Sequence, residues 1–256
     1  MTLALVLAGA LIVGATLGLL GAGGSVLAVP VLVYGAGQPM TVAIPTALVV
    51  VTVSSLGALV PRLGKGQVRW PVTVVFATGG VPAALAGAAV GRGLPDRLLL
   101  PAFALVMIVI AMRMLRGGES TGGACRATGG RVNRRRCLPR ALATGAGIGL
   151  LTGLLGVGGG FAVVPALTLL LGLPAAEAVA TSLVIIVINS IAAFAGHAGT
   201  AAELDWTIML AFAGAALLAS LAAGKLAGRL DADRVRRWFA WTILILAPIT
   251  AAGAFT

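Results

Sequence analysis

Apolar residues run through this chain in long unbroken blocks, not at every second or every third and fourth position. No Asp, Glu, Lys or Arg occurs from Met1 to Pro61, and further charge-free runs cover 70–91, 98–112, 141–176, 178–202, 206–224 and 238–256. About 20 mainly apolar residues make a helix long enough to cross the hydrocarbon of a bilayer. Several runs reach that length. Inside lipid every backbone N–H and C=O must be bonded internally, which makes the helix the default spanning element. A β-barrel would need apolar and polar residues alternating along strands of about 10 residues, and these blocks do not alternate. The pattern predicts an all-α, multi-pass integral membrane protein.

Glycine and proline punctuate the blocks, and the punctuation repeats. Gly18-Leu19-Leu20-Gly21-Ala22-Gly23-Gly24-Ser25 answers Gly153-Leu154-Leu155-Gly156-Val157-Gly158-Gly159-Gly160 at an offset of 135. Pro30 answers Pro165, Gly37 and Pro39 answer Gly172 and Pro174, Thr46 answers Thr181, and Ser55 answers Ser190. Over 18–61 and 153–196, 17 of 44 positions are identical without a gap, against roughly five expected by chance in so biased a composition. Trp70 answers Trp206 after a single-residue shift. The chain is therefore two homologous halves, 1–116 and 138–256, joined by a basic Gly-rich loop at 117–137. The expected helical segments are 2–20, 26–36, 41–60, 71–91 and 97–115 in the first half. In the second they are 140–155, 161–172, 176–196, 206–226 and 237–254. The second segment of each half is too short to span alone. It lies between a glycine cluster and a Gly-x-Pro turn, where Gly supplies positive φ and Pro cannot continue the ladder.

Charge then sets orientation. Loop 62–69 carries Arg62, Lys65 and Arg69, and the excess of basic residues places it on the cytoplasmic side. Its counterpart 197–205 carries His197, Glu203 and Asp205 and is expected outside. Equivalent loops on opposite sides require an odd number of crossings per half, that is, an inverted repeat. Residues near Ala8–Ala10 resemble a signal-peptide end, but no basic segment precedes them and the repeat begins within the same stretch. The first segment is therefore expected to be a retained helix.

Composition excludes further classes. Apolar residues make up 59 % of the chain and charged residues 10 %, too few to cover a soluble surface. Mean hydropathy is +1.09. The net charge of +11 comes from 18 Lys plus Arg against 7 Asp plus Glu, and basic residues gather in cytoplasmic loops. No nucleic-acid partner is expected. The loop's expected contact is the lipid bilayer, through its anionic headgroups. Cys125 and Cys137 lie in that loop with no histidine beside them, so neither a disulfide nor a metal site is expected, and no cofactor is. No Asp or Glu lies inside a span: Glu177 stands at a segment start and Glu203 and Asp205 sit in a loop, which leaves a carboxylate cation relay without its parts. No nucleophile motif supports an enzyme.

Short, glycine-broken helices in matching positions of two inverted halves are the pattern of a secondary transporter. A helix N-terminus presents unpaired N–H groups and about half a positive charge. Two such ends meeting near the midplane can hold an anion without burying a Lys or Arg. The expected substrate-lining residues at the breaks are Gly21, Gly23, Gly24 and Ser25, with Gly156, Gly158, Gly159 and Gly160 opposite; glycines that serve close helix packing are the alternative. The third segments carry the polar residues of the apolar runs: Thr46, Thr52, Ser54 and Ser55, then Thr181, Ser182, Asn189 and Ser190. Of these, Thr46, Thr181, Ser182 and Asn189 are expected at the substrate, since hydroxyls and amides can donate to an oxyanion. The alternative is a hydroxyl bonded to its own helix. His197, the single histidine, is a candidate for proton coupling.

Taken together, these residues resemble the TauE/SafE family of sulfite exporters, and the resemblance covers essentially the whole chain. The family's marks appear as Gly156-Val157-Gly158-Gly159-Gly160 leading to Pro165, Ala178-Val179-Ala180-Thr181-Ser182, His197, Gly199 and Asp205-Trp206. The N-terminal copy departs in having Ser25, Pro45-Thr46-Ala47 and Arg69-Trp70. The resemblance implies a permease of the bacterial inner membrane that moves sulfite, an organosulfonate or a similar sulfur oxyanion, and it leaves the substrate open. Family members are often described with eight spans, which differs from the odd crossing number per half argued above. Export by alternating access is the expected activity. A passive anion channel and a non-transporting membrane scaffold are the alternatives, and a homo-oligomer is compatible with all three.

Overall fold

The computed structural model describes residues 2–20, 24–64, 66–116, 134–156, 160–197 and 204–226, with isolated positions at 237, 241, 244, 245 and 248. The described residues form helices and connecting turns, with no strand among them. In chain order these helices are α1 (Thr2–Leu20), α2 (Ser25–Pro30), α3 (Met40–Leu63), α4 (Trp70–Gly91), α5 (Asp96–Arg116), α6 (Arg134–Leu155), α7 (Gly160–Leu171), α8 (Ala175–Gly196) and α9 (Trp206–Leu226). The segments expected from the sequence agree closely, with two exceptions: α6 begins at Arg134, six residues before the expected 140 and inside the expected loop 117–137, and 237–254 falls almost wholly outside the described residues. Among the described residues, five helices are long and apolar enough to cross a membrane: α3, α4, the 138–155 part of α6, α8 from Ala176, and α9.

The short second segments follow their local chemistry. Pro30 has no N–H and its ring crowds the preceding turn. Directly after it the helix widens into a π-turn over Val31–Gly35. Gly37 (φ +67°) and Gly172 (φ +64°) then reverse the chain in the left-handed region. In both copies the next amide returns to a helix carbonyl, Gln38 to Leu32 at 3.2 Å and Leu173 to Leu167 at 3.3 Å. Pro39 and Pro174, both extended, start α3 and α8.

Helices α3 and α8 form the centre. Within their apolar spans 78 % and 61 % of residues are buried, against 33 % in α4 and in α9. Leu48, Val50 and Val51 of α3 and Leu183 and Ile186 of α8 belong to one core with Val13 and Leu17 of α1. Outer helices pack across the two halves: α4 lies along α6, and α1 along α9. Glycine permits both approaches. A Cβ at Gly14 would collide with the Ala216 carbonyl, and one at Gly149 with the Gly80 carbonyl. One turn on, Gly18 meets Ser220 and Gly153 meets Ala84. Gly14 and Gly149 are equivalent in the repeat, as are Gly18 and Gly153, so each contact recurs with the halves exchanged. Lipid tails are as apolar as the helix surfaces, so this close van der Waals contact stabilises helix pairing where no hydrophobic drive exists.

The ends of the helices also meet in a definite way. Arg69, at the start of α4 and six residues beyond the end of α3, makes a bidentate pair with Glu177 in the first turn of α8 (2.7 and 2.8 Å). At the opposite end of α3, Thr41 and Ile44 share a cleft with Gly91 and Arg92 at the end of α4, and with His197 after α8.

Candidate functional site

Both α1 and α6 stop at the glycine clusters. Gly156 takes φ +68°, open to glycine at little cost, and a Cβ there would press on Ile44 of α3 at 2.9 Å. The second break therefore lies against the second turn of the first half's central helix. Gly24 packs tightly against Val13, Thr16 and Leu17 of α1 and precedes α2, whose Ser25 is fully buried and engaged. Gly160 opens α7. Gly21, Gly23, Gly158 and Gly159 lie outside the described residues.

A helix leaves its last carbonyls without partners in the helix, and each break exposes the same one to the same neighbour. The Gly18 carbonyl accepts from Nη2 of Arg62 at 2.8 Å. The Gly153 carbonyl accepts from Nε2 of His197 at 2.9 Å. A carbonyl only accepts, so this His197 nitrogen carries the hydrogen. In the repeat, Arg62 and His197 are equivalent positions, 135 residues apart, as are Gly18 and Gly153. His197 is 4 % exposed. Burial holds its pKa below the usual histidine value, the bond to Gly153 opposes that shift, and the charge of Arg92 adds to it. Together with Thr41, Ile44, Gly91, Arg92 and Leu99 it lines a cleft of about 90 Å³.

The polar residues of the central helices divide into two sets. Thr46 donates to the Val42 carbonyl at 2.8 Å, Thr52 to Leu48 at 2.7 Å and Ser182 to Val179 at 2.8 Å. These hydroxyls are bonded within their own helix. Thr181 accepts the Arg69 amide at 3.0 Å, a bond between halves that fixes the start of α4 to α8. The second set is Ser54 and Ser55 on α3, with Asn189 and Ser190 on α8. All four are fully buried, and none of their side-chain polar atoms has a hydrogen-bond partner. Asn189 faces Gly80 at the middle of α4, where a Cβ would stand 2.5 Å from Oδ1 and 2.8 Å from Nδ2. Gln38, in the first Gly-x-Pro turn, is also buried with both amide atoms unpaired.

Of the expected lining residues, then, Asn189 is buried with its amide free, while Thr46, Thr181 and Ser182 are occupied by protein partners. The sequence reading left Ser54, Ser55 and Ser190 out of that set. Their equivalence in the repeat was the available signal, but nothing in the sequence separates a back-bonded hydroxyl from a free one. Among the described residues no group of three His, Cys, Asp or Glu could hold a metal ion.

Comparison with known proteins identifies a family. The family described as "Sulfite exporter TauE/SafE" matches residues 6–248. A "Probable membrane transporter protein" of Xylella fastidiosa (strain Temecula1) is 36 % identical over 177 residues, 67 % of this chain and 65 % of the relative. A protein of the same description from Xylella fastidiosa (strain 9a5c) is 33 % identical over 206 residues, covering 78 % and 76 % of the two chains. "Probable membrane transporter protein YunE" of Bacillus subtilis (strain 168) is 28 % identical over 218 residues, 78 % of this chain and 80 % of the relative. The chain thus spans just under two thirds of the first of these relatives and more of the others. No solved structure matches. With apolar helices long enough to cross a bilayer and a family match over nearly its whole length, the chain is a multi-pass protein of the bacterial cell membrane and belongs to the TauE/SafE sulfite-exporter family of membrane transporters.

Proposed function

We propose that the protein is a secondary permease that exports a small sulfur-containing anion, sulfite, an organosulfonate or a close relative, by alternating access. The observation that carries this reading is the pair of glycine-interrupted segments in equivalent positions around α3 and α8, with contacts that recur when the halves are exchanged. The helix ends support inversion of the halves. The start of α8 is tied to Arg69, beyond the end of α3, while the start of α3 and the end of α8 border one cleft. We place the halves at 1–116 and 138–256, with the basic loop 117–137 cytoplasmic against anionic lipid. The glycine breaks and the polar positions of α3 and α8 line the path, and His197 is the group through which protons would couple. Export of an anion from a negative-inside cell runs down the membrane potential, about 2.3 kcal/mol per charge per 100 mV. That suits spans without relay carboxylates.

The test is flux of labelled sulfite in proteoliposomes, with and without an imposed potential, beside a Gly158→Val variant. Saturable, potential-driven flux that shows trans-stimulation and fails in the variant is expected. Unsaturable flux without trans-stimulation would make the protein a channel. Indifference to potential would refute the coupling.

A further inference from the structure

We infer that Arg62 and His197 are the positioning residues of the two gates, each latching one end of the path shut by holding a carbonyl at a helix break, and that the two latches are released alternately. The inference deepens the permease reading and rests on it for the need to open each end in turn.

Each latch runs from the end of a central helix to the helix before a break. Nη2 of Arg62, in the last turn of α3, donates to the Gly18 carbonyl of α1 at 2.8 Å. Nε2 of His197, directly after α8, donates to the Gly153 carbonyl of α6 at 2.9 Å. An offset of 135 relates the two donors and also the two acceptors. The side chains differ, a guanidinium and an imidazole, yet the same bond to the same carbonyl is made twice. Nη1 of Arg62 donates as well to the Ala58 carbonyl of its own helix. Among the described residues no carboxylate pairs with Arg62, so carbonyls hold its half-buried charge in place.

A third helix completes each junction, and it comes from the other half. At the first, Gly18 packs on Ser220, and a Cβ at Gly224 would touch Pro61 and Arg62, so α9 meets α1 and α3 there. At the second, Gly153 packs on Ala84, and a Cβ at Gly196 would collide with Ala88, so α4 meets α6 and α8. These contacts are the same ones with the halves exchanged. Movement of one half against the other shears both junctions. The junctions also stand at opposite ends of the bundle. His197 shares its cleft with Thr41 in the first turn of α3, whereas Arg62 is in the last turn. From Thr41 to Arg62 is 21 residues, about 32 Å at 1.5 Å per residue, close to the thickness of the hydrocarbon. Both bonds are made in this structure, so neither end is released. A permease working by alternating access must release one end while the other holds. Separate donors at the two ends allow that, because either bond breaks without disturbing the other.

The test uses Arg62→Met and His197→Phe, which keep bulk and remove the donor, in the full-length protein without Cys125 and Cys137. Single reporter cysteines are placed by Ile44→Cys and Val179→Cys, equivalent positions in the second turns of α3 and α8. Ile44 lines the cleft beside His197. Val179 lies near the start of α8, which Arg69 ties to the other end of α3. In nanodiscs a small thiol reagent reaches both ends, so the assay is independent of orientation in the membrane. Loss of one hydrogen bond of ordinary net strength shifts a two-state equilibrium about fivefold. His197→Phe should raise the labelling rate at Ile44→Cys about fivefold and lower the rate at Val179→Cys. Arg62→Met should do the reverse. His197→Arg, which keeps a donor, should label as the wild type does. A bond that only stabilises the fold would loosen its own end and leave the far end unchanged or faster. That result, or unchanged labelling at both ends, overturns the inference. Each variant reads both reporters, so either one decides the question if the other fails to fold. Flux of radiolabelled sulfite in proteoliposomes separates the two readings. Reciprocal labelling without flux supports the latches and refutes sulfite as the cargo, whereas saturable flux without reciprocal labelling refutes the latches and leaves the permease reading standing.

Discussion

Replacing His197 with alanine removes the side-chain bond to the second helix break. The Gly153 carbonyl is buried near the end of α6 and accepts from His197 at 2.9 Å. Removal of the imidazole takes away this buried bond, at about 1–3 kcal/mol. For a chain of this size each kcal/mol moves the unfolding temperature by about 2–4 °C, so His197→Ala should unfold several degrees early in detergent. Titration adds a second signature. Burial, with Arg92 alongside, holds the folded-state pKa of His197 below the ordinary value of about 6.5. As pH falls below that value the unfolded chain takes up a proton that the folded chain resists. Stability is therefore full above pH 6.5 and is lost as pH falls toward the folded pKa. The Ala variant should lack this slope. His197→Arg, which installs the side chain found at the equivalent Arg62, should recover part of the stability and also lose the slope. Unfolding of His197→Ala at the wild-type temperature, or an undiminished pH slope in it, would refute the reasoning.

Further outcomes follow from the contacts and the helix ends. Gly149→Val should cost about 1–3 kcal/mol or more by driving α6 off the Gly80 backbone, and fluorescence-detected size exclusion should show less folded protein. Gly147→Ala, two residues away with nothing near its Cβ position, should leave the profile unchanged. Asp205 caps α9 by accepting the Thr207 and Ile208 amides at 3.0 and 3.1 Å, so Asp205→Ala should lower stability by about 1 kcal/mol. Glu177→Gln at the exposed Arg69 pair should cost less than that in the same thermal assay. In a chain without Cys125 and Cys137, single cysteines from Gly64→Cys and Thr207→Cys should react with an impermeant reagent from opposite sides of the membrane. Labelling from the same side would sink the inverted arrangement.

The segments and their limits were legible because their signals are local. Charge-free runs of spanning length, glycine clusters at the breaks and Gly-x-Pro turns each act within a few residues. The boundaries of α3, α4, α8 and α9 fall close to where those signals stop. The repeat was equally plain, since identity at an offset of 135 needs no structure.

What the sequence could not supply is direction. In a soluble helix the apolar stripe marks the inward face. In a bilayer both faces are apolar, so nothing along α3 distinguishes the side facing α8 from the side facing lipid. The packing of α1 on α9 and of α6 on α4, across the halves, was decided by backbone approach at Gly14 and Gly149. The bond from His197 to Gly153 joins residues 44 apart, as does the bond from Arg62 to Gly18, and only the packed helices bring them together. The separation of Thr46 from Ser54 has the same origin. Both are hydroxyls in one apolar helix, and whether each meets a carbonyl or nothing depends on side-chain placement at its own turn of the assembled core. Composition and spacing determined which elements exist and that they come twice. Tertiary packing alone decided which polar groups were used in building the protein and which were left free.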